Sequence, residues 1–218
     1  MIIAIDGPSG SGKSTAAREA ARRLGLGYLD TGAMYRAVAV AFLDAGLPTT
    51  DREGIIAVTV GADIDISLDP DDFWVRVNGR DVTTEIREPR VSASVSAVST
   101  IPECRENLVA RQRALMESAP GGVVAEGRDI TTVVYPDADV RILVTARPEV
   151  RMMRRRGDLG ETVTEEELRD QVLRRDRDDS ALVEFQTAAP GVHLLDNSDM
   201  TAEETVAAVV ALAEEAGA

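Results

Sequence analysis

The feature that most constrains the fold is a run of eight residues near the start of the chain, Gly7-Pro8-Ser9-Gly10-Ser11-Gly12-Lys13-Ser14. Ahead of it, Met1-Ile2-Ile3-Ala4-Ile5 is unbroken apolar sequence ending at Asp6, the pattern of a short parallel strand buried on both faces. Behind it, Ser14 to Leu24 is rich in Ala and Arg and reads as a helix. In that order, strand, glycine turn and helix let successive backbone N–H groups curl around β- and γ-phosphate oxygens, with the positive end of the helix dipole behind them. Lys13 supplies a mobile cation for the phosphates, and the Ser14 hydroxyl is placed to reach a bound Mg²⁺. Gly7, Pro8, Ser9, Gly10, Ser11, Gly12, Lys13, Ser14 and Thr15 are therefore the predicted triphosphate-binding residues, with Ser14 as the metal contact.

Composition narrows the partners. A chain of 218 residues suits one α/β domain, and 44% hydrophobic residues supply a core. The net charge of −14 and an aromatic content of 3% argue against nucleic acid or an anionic membrane, which demand a basic or stacking face. Among 24 basic residues Lys13 is the only lysine, so the rest are arginines, suited to bidentate grips on phosphate. Cys104 and His193 are each alone, which excludes a disulfide framework and a cysteine-based metal site; both read as packing or surface residues. With no signal peptide or long apolar span in view, a bacterial cytoplasmic protein and a monomer are expected.

Three further apolar runs read as parallel core strands: Gly122 to Glu126, Val140 to Ala146, and Val192 to Asp196. Between them, helical periodicity covers Gly32 to Ala45, Ile101 to Glu117, Pro148 to Arg156, Thr164 to Ser180 and Thr201 to Glu215. This alternation predicts an α/β fold with a parallel sheet flanked by helices and ligands at the carboxyl ends of the strands. Asp63 to Thr84 departs from it: Ile64, Ile66 and Leu68 alternate with polar residues, and Phe73 to Val77 runs into Asn78-Gly79, a small β-meander with a tight turn. Arg154 to Gly160, followed by acidic Glu161 to Glu167, reads as a charged flap.

A phosphate loop does not say what is done with the triphosphate. A GTP switch needs a base-reading Asn-Lys-x-Asp, and Asn78-Gly79-Arg80-Asp81 lacks the lysine and is better explained as hairpin chemistry. Arginines instead gather at the ends of predicted elements. Asp30-Thr31-Gly32-Ala33-Met34-Tyr35-Arg36 opens a helix, Glu126-Gly127-Arg128-Asp129 closes a core strand, and Arg174-Arg175-Asp176-Arg177-Asp178-Asp179 ends a helix. Singly, each can be a solvated salt-bridge face. Together with the glycine loop they point to a second anion site facing the first, and so to phosphoryl transfer between nucleotides.

On these residues the chain resembles the bacterial cytidylate kinases, P-loop nucleoside monophosphate kinases. The resemblance rests on Ile5 to Ser14, Leu29 to Arg36, Val77 to Val82, Ile86-Arg87, Val95-Ser96, Arg105, Glu126 to Ile130 and Val133 to Ala138, and it runs from Met1 to about Asp179. It implies a P-loop NTPase-type sheet in one domain: core at 1–30, 98–150 and 181–218, monophosphate-binding region with the β-insert at 31–97, lid at about 151–180. It further implies that Thr31, Tyr35, Arg36, Ser96, Arg105, Arg128 and Asp129 line the acceptor nucleotide, with Arg175 and Asp179 near its sugar. Two positions depart from the family pattern. Thr131 stands where glycine usually follows the Gly-Arg-Asp-Ile stretch, and Leu182 stands at the last arginine of Arg-Asp-x-x-Asp-x-x-Arg. Either the acceptor is a modified pyrimidine nucleotide rather than plain CMP, or Arg174 or Arg177 substitutes.

The expected chemistry is transfer of the γ-phosphoryl of ATP, with Mg²⁺, to CMP or dCMP. Lys13, Arg128, Asp129, Arg154 and Arg155 are the expected catalytic residues: Arg36 and Arg128 hold the acceptor phosphate, and the arginines of the flap close on the transferring group. The alternatives are a related kinase acting on a modified CMP or another phosphorylated small molecule, and a degenerate nucleotide-binding protein without transfer.

Overall fold

The computed structural model describes residues 1–159 and 187–217. Its centre is a five-stranded parallel sheet in the order β2-β6-β1-β7-β8, and beside it lies a three-stranded antiparallel sheet, β3-β4-β5. The strands are β1 Ile2–Asp6, β2 Gly27–Asp30, β3 Ile64–Ile66, β4 Val75–Val77, β5 Arg80–Asp81, β6 Val123–Gly127, β7 Val140–Thr145 and β8 His193–Asp196. The helices are α1 Lys13–Leu24, α2 Thr31–Asp44, α3 Arg52–Gly61, α4 Pro89–Ser94, α5 Ser96–Ser99, α6 Pro102–Ser118, α7 Pro148–Leu159 and α8 Ala202–Gly217. A 3₁₀ turn at Glu85–Arg87 and a π-helical turn at Ile130–Val134 complete the order.

The unbroken apolar run of β1 takes the central position because both of its faces are covered. Ile3 and Ile5 pack with Ala16, Ala17, Ala20 and Ala21 of α1 and with Val209 and Ala213 of α8. Ala4 faces the opposite way, into the layer built from α2, α6 and the β-insert. The alternation of side chains along a strand makes this division. Small alanines on α1 let the helix lie close to the sheet, and Gly25, in a left-handed conformation at φ 66°, ends it. On the other face α2 is buried almost all round, from Ala33 to Phe42.

The predicted meander forms as β3-β4-β5, and its turn uses left-handed Asn78 (φ 52°) and Gly79 (φ 75°), the geometry that an Asn-Gly hairpin favours. The sequence reading did not include β2, α3 or the π-helical turn. β2 has four residues and one apolar pair, too short for a periodic signal, and it is defined by pairing with β6. Cys104 is buried and accepts from the Thr59 hydroxyl at 3.2 Å, a packing role, while His193 lies exposed on β8. The predicted helix Thr164 to Ser180, with Arg175, Asp179 and Leu182, lies outside the described residues. Among the described residues no helix is long and apolar enough to cross a membrane.

Phe42 is fully buried at the centre of the α2 layer. Phe42→Ala is expected to lower unfolding free energy by about 3–5 kcal/mol, through lost burial and the cavity left behind. Urea denaturation monitored by circular dichroism checks it.

Candidate active site

The glycine loop follows β1 at the carboxyl edge of the sheet and runs into α1. Two of its glycines are sterically required: a Cβ on Gly7 would sit 2.3 Å from the Val144 carbonyl, and one on Gly10 (φ 73°) would sit 2.5 Å from the Arg151 carbonyl. Three carbonyls of the loop are taken by donors from other elements. Arg128 donates to Gly7 O, and Arg151 Nη1 donates to Ser9 O at 3.0 Å. Ser11 O accepts from Arg154 Nη1 at 3.2 Å and from Asn197 Nδ2 at 2.9 Å. With its carbonyls anchored outward, the loop and the open N-terminus of α1 can present N–H groups to an anion.

Lys13 and Ser14 meet a carboxylate at the end of β6. Ser14 Oγ donates to Glu126 Oε1 at 2.7 Å, and Lys13 Nζ stands 3.8 Å from Glu126 Oε2 and 3.5 Å from Pro8 O. Burial, and the neighbouring Asp30 carboxylate, push the Glu126 carboxyl above its ordinary range; Lys13, the Ser14 hydroxyl and Arg36 oppose the shift. Asp30 itself caps α2 by accepting from Ala33 N at 2.8 Å, and its other oxygen accepts from Arg36 Nη2 at 2.7 Å. Arg36 Nε is buried with no hydrogen-bond partner among the described residues.

A cavity of about 540 Å³ opens at this place. Its lining includes Lys13, Arg36, Arg87, Arg128 and Arg155, five cations against the two carboxylates Asp30 and Glu126, on a chain whose net charge is −14. Ser9, Gly10, Gly12, Ser14 and Thr15 line the same space. A second cavity, of about 330 Å³, lies on the other flank of the loop, between Gly10, Gly12, Thr15 and Ala16 on one side and Arg154, Asn197, Met200, Ala202 and Thr205 on the other. Gly10, Gly12 and Thr15 border both.

The remaining predicted site residues fall into two groups. Arg154 and Arg155 are neighbours on α7 but part company. Arg154 reaches Ser11 O, Asn197 Oδ1 (2.9 Å) and Asn197 O (2.9 Å) at the smaller cavity, and Arg155 lines the larger one. Thr31, Tyr35, Ser96, Arg105 and Asp129 are not among the residues lining the larger cavity. Thr31 spends its hydroxyl on the Glu126 carbonyl at 2.8 Å, joining α2 to β6. Tyr35 is buried in the core beside Gln112, its phenol pushed above the ordinary range by burial. Arg105 donates to the Asp129 carboxylate. Ser96 begins α5, on the same stretch as Ser92, which does reach the cavity.

Sequence reasoning missed Glu126, Arg87, Ser92 and Asn197 as site residues. Glu126 carried a usable signal, a carboxylate ending an otherwise apolar core strand, and Asn197 is the residue just past β8. Asp6 is a further buried carboxylate at a strand end. It accepts from Ile130 N (2.9 Å), Thr131 N (2.8 Å) and the Thr131 hydroxyl (2.7 Å), which gives Thr131 a polar role.

A parallel sheet with a glycine loop after its central strand, a lysine and serine at the head of the next helix, and a carboxylate one strand away define the P-loop nucleotide-binding class. The family model described as cytidylate kinase matches residues 3–215. A cytidylate kinase of Cutibacterium acnes is 47% identical over 213 residues, covering 97% of this chain and 95% of that one. A cytidylate kinase of Streptomyces avermitilis is 44% identical over 217 residues, covering 99% and 93%. A crystal structure of an uncharacterized protein from Eubacterium ventriosum shares the fold at a TM-score of 0.51 and 12% identity, covering 97% of this chain and 96% of that one. The chain belongs to the cytidylate kinase family.

Burial, reinforced by the nearby Asp129 carboxylate and opposed by the donors of Thr131 and Ile130, raises the Asp6 carboxyl from 3.8 to about 6. Because the folded state holds this proton more tightly than the unfolded chain, the Asp6 contribution to stability is largest below pH 4 and is lost as pH rises to 6. Wild type should lose up to about 3 kcal/mol relative to Asp6→Asn between pH 4 and pH 7. Urea unfolding of both proteins across that range reads the difference.

Proposed function

We propose that the protein transfers the γ-phosphoryl group of ATP to a pyrimidine nucleoside monophosphate, CMP or dCMP, giving CDP or dCDP. The observation that carries this reading is the meeting of two cavities at Gly10 and Gly12. A triphosphate held by the loop, with its nucleoside in the smaller cavity between α1 and Asn197, directs its terminal phosphate into the larger, cationic one. An acceptor that is itself a phosphate monoester suits a cavity lined by Arg36, Arg87 and Arg128.

Phosphoryl transfer passes through a loose transition state, so the protein's work is alignment and charge stabilisation. Lys13 bonds the β- and γ-phosphates once it leaves the Pro8 carbonyl. Arg36, held by Asp30, and Arg128, held by Gly7 O, present their remaining N–H groups to the acceptor phosphate. Arg155 faces the transferring group from α7, whereas Arg154, engaged with Asn197, serves the donor side. No general base is required, because the attacking phosphate oxygen is already anionic. Asp129, bonded to Arg105, is a positioning residue for the adjacent Arg128. Ser14 and Glu126 are hard oxygen donors set 2.7 Å apart at the loop, a pair that fits Mg²⁺, which prefers few protein ligands and keeps its phosphate and water ligands. When bound, Mg²⁺ neutralises charge on the β- and γ-phosphate oxygens. We assign residues 31–97 to the acceptor side; the lid expected at about 151–180 lies mostly outside the described residues.

An ADP-release assay across CMP, dCMP, UMP and AMP tests the reading. Turnover with CMP or dCMP above the others is expected; silence with all four, while ATP still binds, would overturn it. In the same assay Lys13→Ala should lose about 100-fold or more in kcat, the usual cost of removing a donor aimed at transition-state charge. Arg36→Ala should raise the CMP KM about tenfold and leave ATP binding within twofold, as fits loss of one charge-assisted contact made by the acceptor alone.

A further inference from the structure

β1 ends on a carboxylate that does not enter either cavity. Asp6 is 2% exposed and accepts three hydrogen bonds, two from the backbone of Ile130 and Thr131 and one from the Thr131 hydroxyl. The backbone donors are the first two N–H groups of the π-helical turn, so Asp6 caps that turn from a different strand. The very next residue, Gly7, gives its carbonyl to Arg128. Two consecutive residues of β1 and the loop therefore grip both ends of one short segment: Gly7 holds the guanidinium of Arg128, and Asp6 holds the backbone at 130 and 131. Between the two grips stands Asp129, bonded to Arg105. Its backbone, at φ −144° and ψ 20°, lies in neither the strand nor the helix conformation of its neighbours, and its carbonyl accepts from Val133 N (2.8 Å) and Val134 N (2.9 Å) of the turn.

We propose that Asp6 and Thr131 are a positioning pair that sets the Arg128–Asp129 segment against the phosphate loop, so that the acceptor-binding arginine keeps its place relative to the donor. This rests on the kinase reading above. Glycine, which the family resemblance leads one to expect at 131, would keep the backbone bond and lose the 2.7 Å bond from the side chain. Burial raises the Asp6 carboxyl only to about 6, so at neutral pH it is ionised and takes all three donors without a conflicting proton. Two further loop carbonyls are held without the pair, Ser9 O by Arg151 and Ser11 O by Arg154 and Asn197. The donor site should therefore tolerate loss of the hydroxyl and the acceptor site should not.

Thr131→Val keeps the side-chain shape and deletes the donor. Steady-state kinetics of wild type, Thr131→Val and Thr131→Ser, with CMP and ATP varied separately, read the effect alongside melting temperatures. Thr131→Val is expected to raise the CMP KM and lower kcat so that kcat/KM for CMP falls about tenfold or more, the loss of one hydrogen bond to a charged group, with the ATP KM within twofold. Thr131→Ser, which restores the hydroxyl, should return kcat/KM for CMP to within about threefold of wild type even where its melting temperature is lower. If Thr131→Val does not fold, Thr131→Ala is compared with Thr131→Ser in the same way. An unchanged CMP kcat/KM in the variant lacking the hydroxyl, or CMP and ATP parameters moving together, overturns the positioning role. Wild-type protein silent on every monophosphate overturns the kinase reading and the pair with it, whereas active wild type with an unshifted variant overturns the pair alone.

Discussion

A loop that offers its N–H groups to phosphate must send its carbonyls the other way, and at a buried junction each of those carbonyls needs a donor. Here the donors come from far along the chain: Arg128 after β6 for Gly7, Arg151 of α7 for Ser9, and Arg154 with Asn197 for Ser11. The loop therefore acquires its shape only when β6, β7 and β8 have assembled around β1. The requirement also explains why so many arginines sit at the ends of elements here. Several are on the protein side of the phosphate loop, shaping it, as well as on the cavity side.

The second constraint is electrostatic. Five cations lining one cavity would repel one another and lower the stability of the empty site. Asp30 and Glu126 relieve this from below, Asp30 through Arg36 and Glu126 through Lys13 and Ser14. Each carboxylate ends a core strand, which puts it at the rim without exposing it. The chain is strongly acidic overall, yet concentrates positive potential where two phosphates would meet.

Much of this was legible in the residues. The unbroken apolar run of β1 marked it as a strand covered on both faces, and the glycine loop at its end marked the carboxyl edge of the sheet as the binding edge. The meander announced itself through period-two alternation and Asn78-Gly79. β2 did not, because four residues carry too little pattern and its place is decided by pairing with β6. The split between Arg154 and Arg155 could not be read either. Adjacent helical residues point about 100° apart, and which cavity each one reaches depends on where α7 docks against the loop.

Local chemistry by itself determined the phosphate loop, the parallel sheet and the presence of a second anion-binding group, since steric needs of glycine and the periodicity of apolar residues act over a few residues. Only the tertiary structure decided which arginines face the cavity and which hold the loop. It also turned Thr31 and Tyr35 inward, and found in Asp6 and Thr131 partners from opposite ends of a 125-residue separation. Those assignments depend on hydrogen bonds between strands that are distant in sequence, and a donor and its acceptor carry no mark of one another until the sheet brings them together.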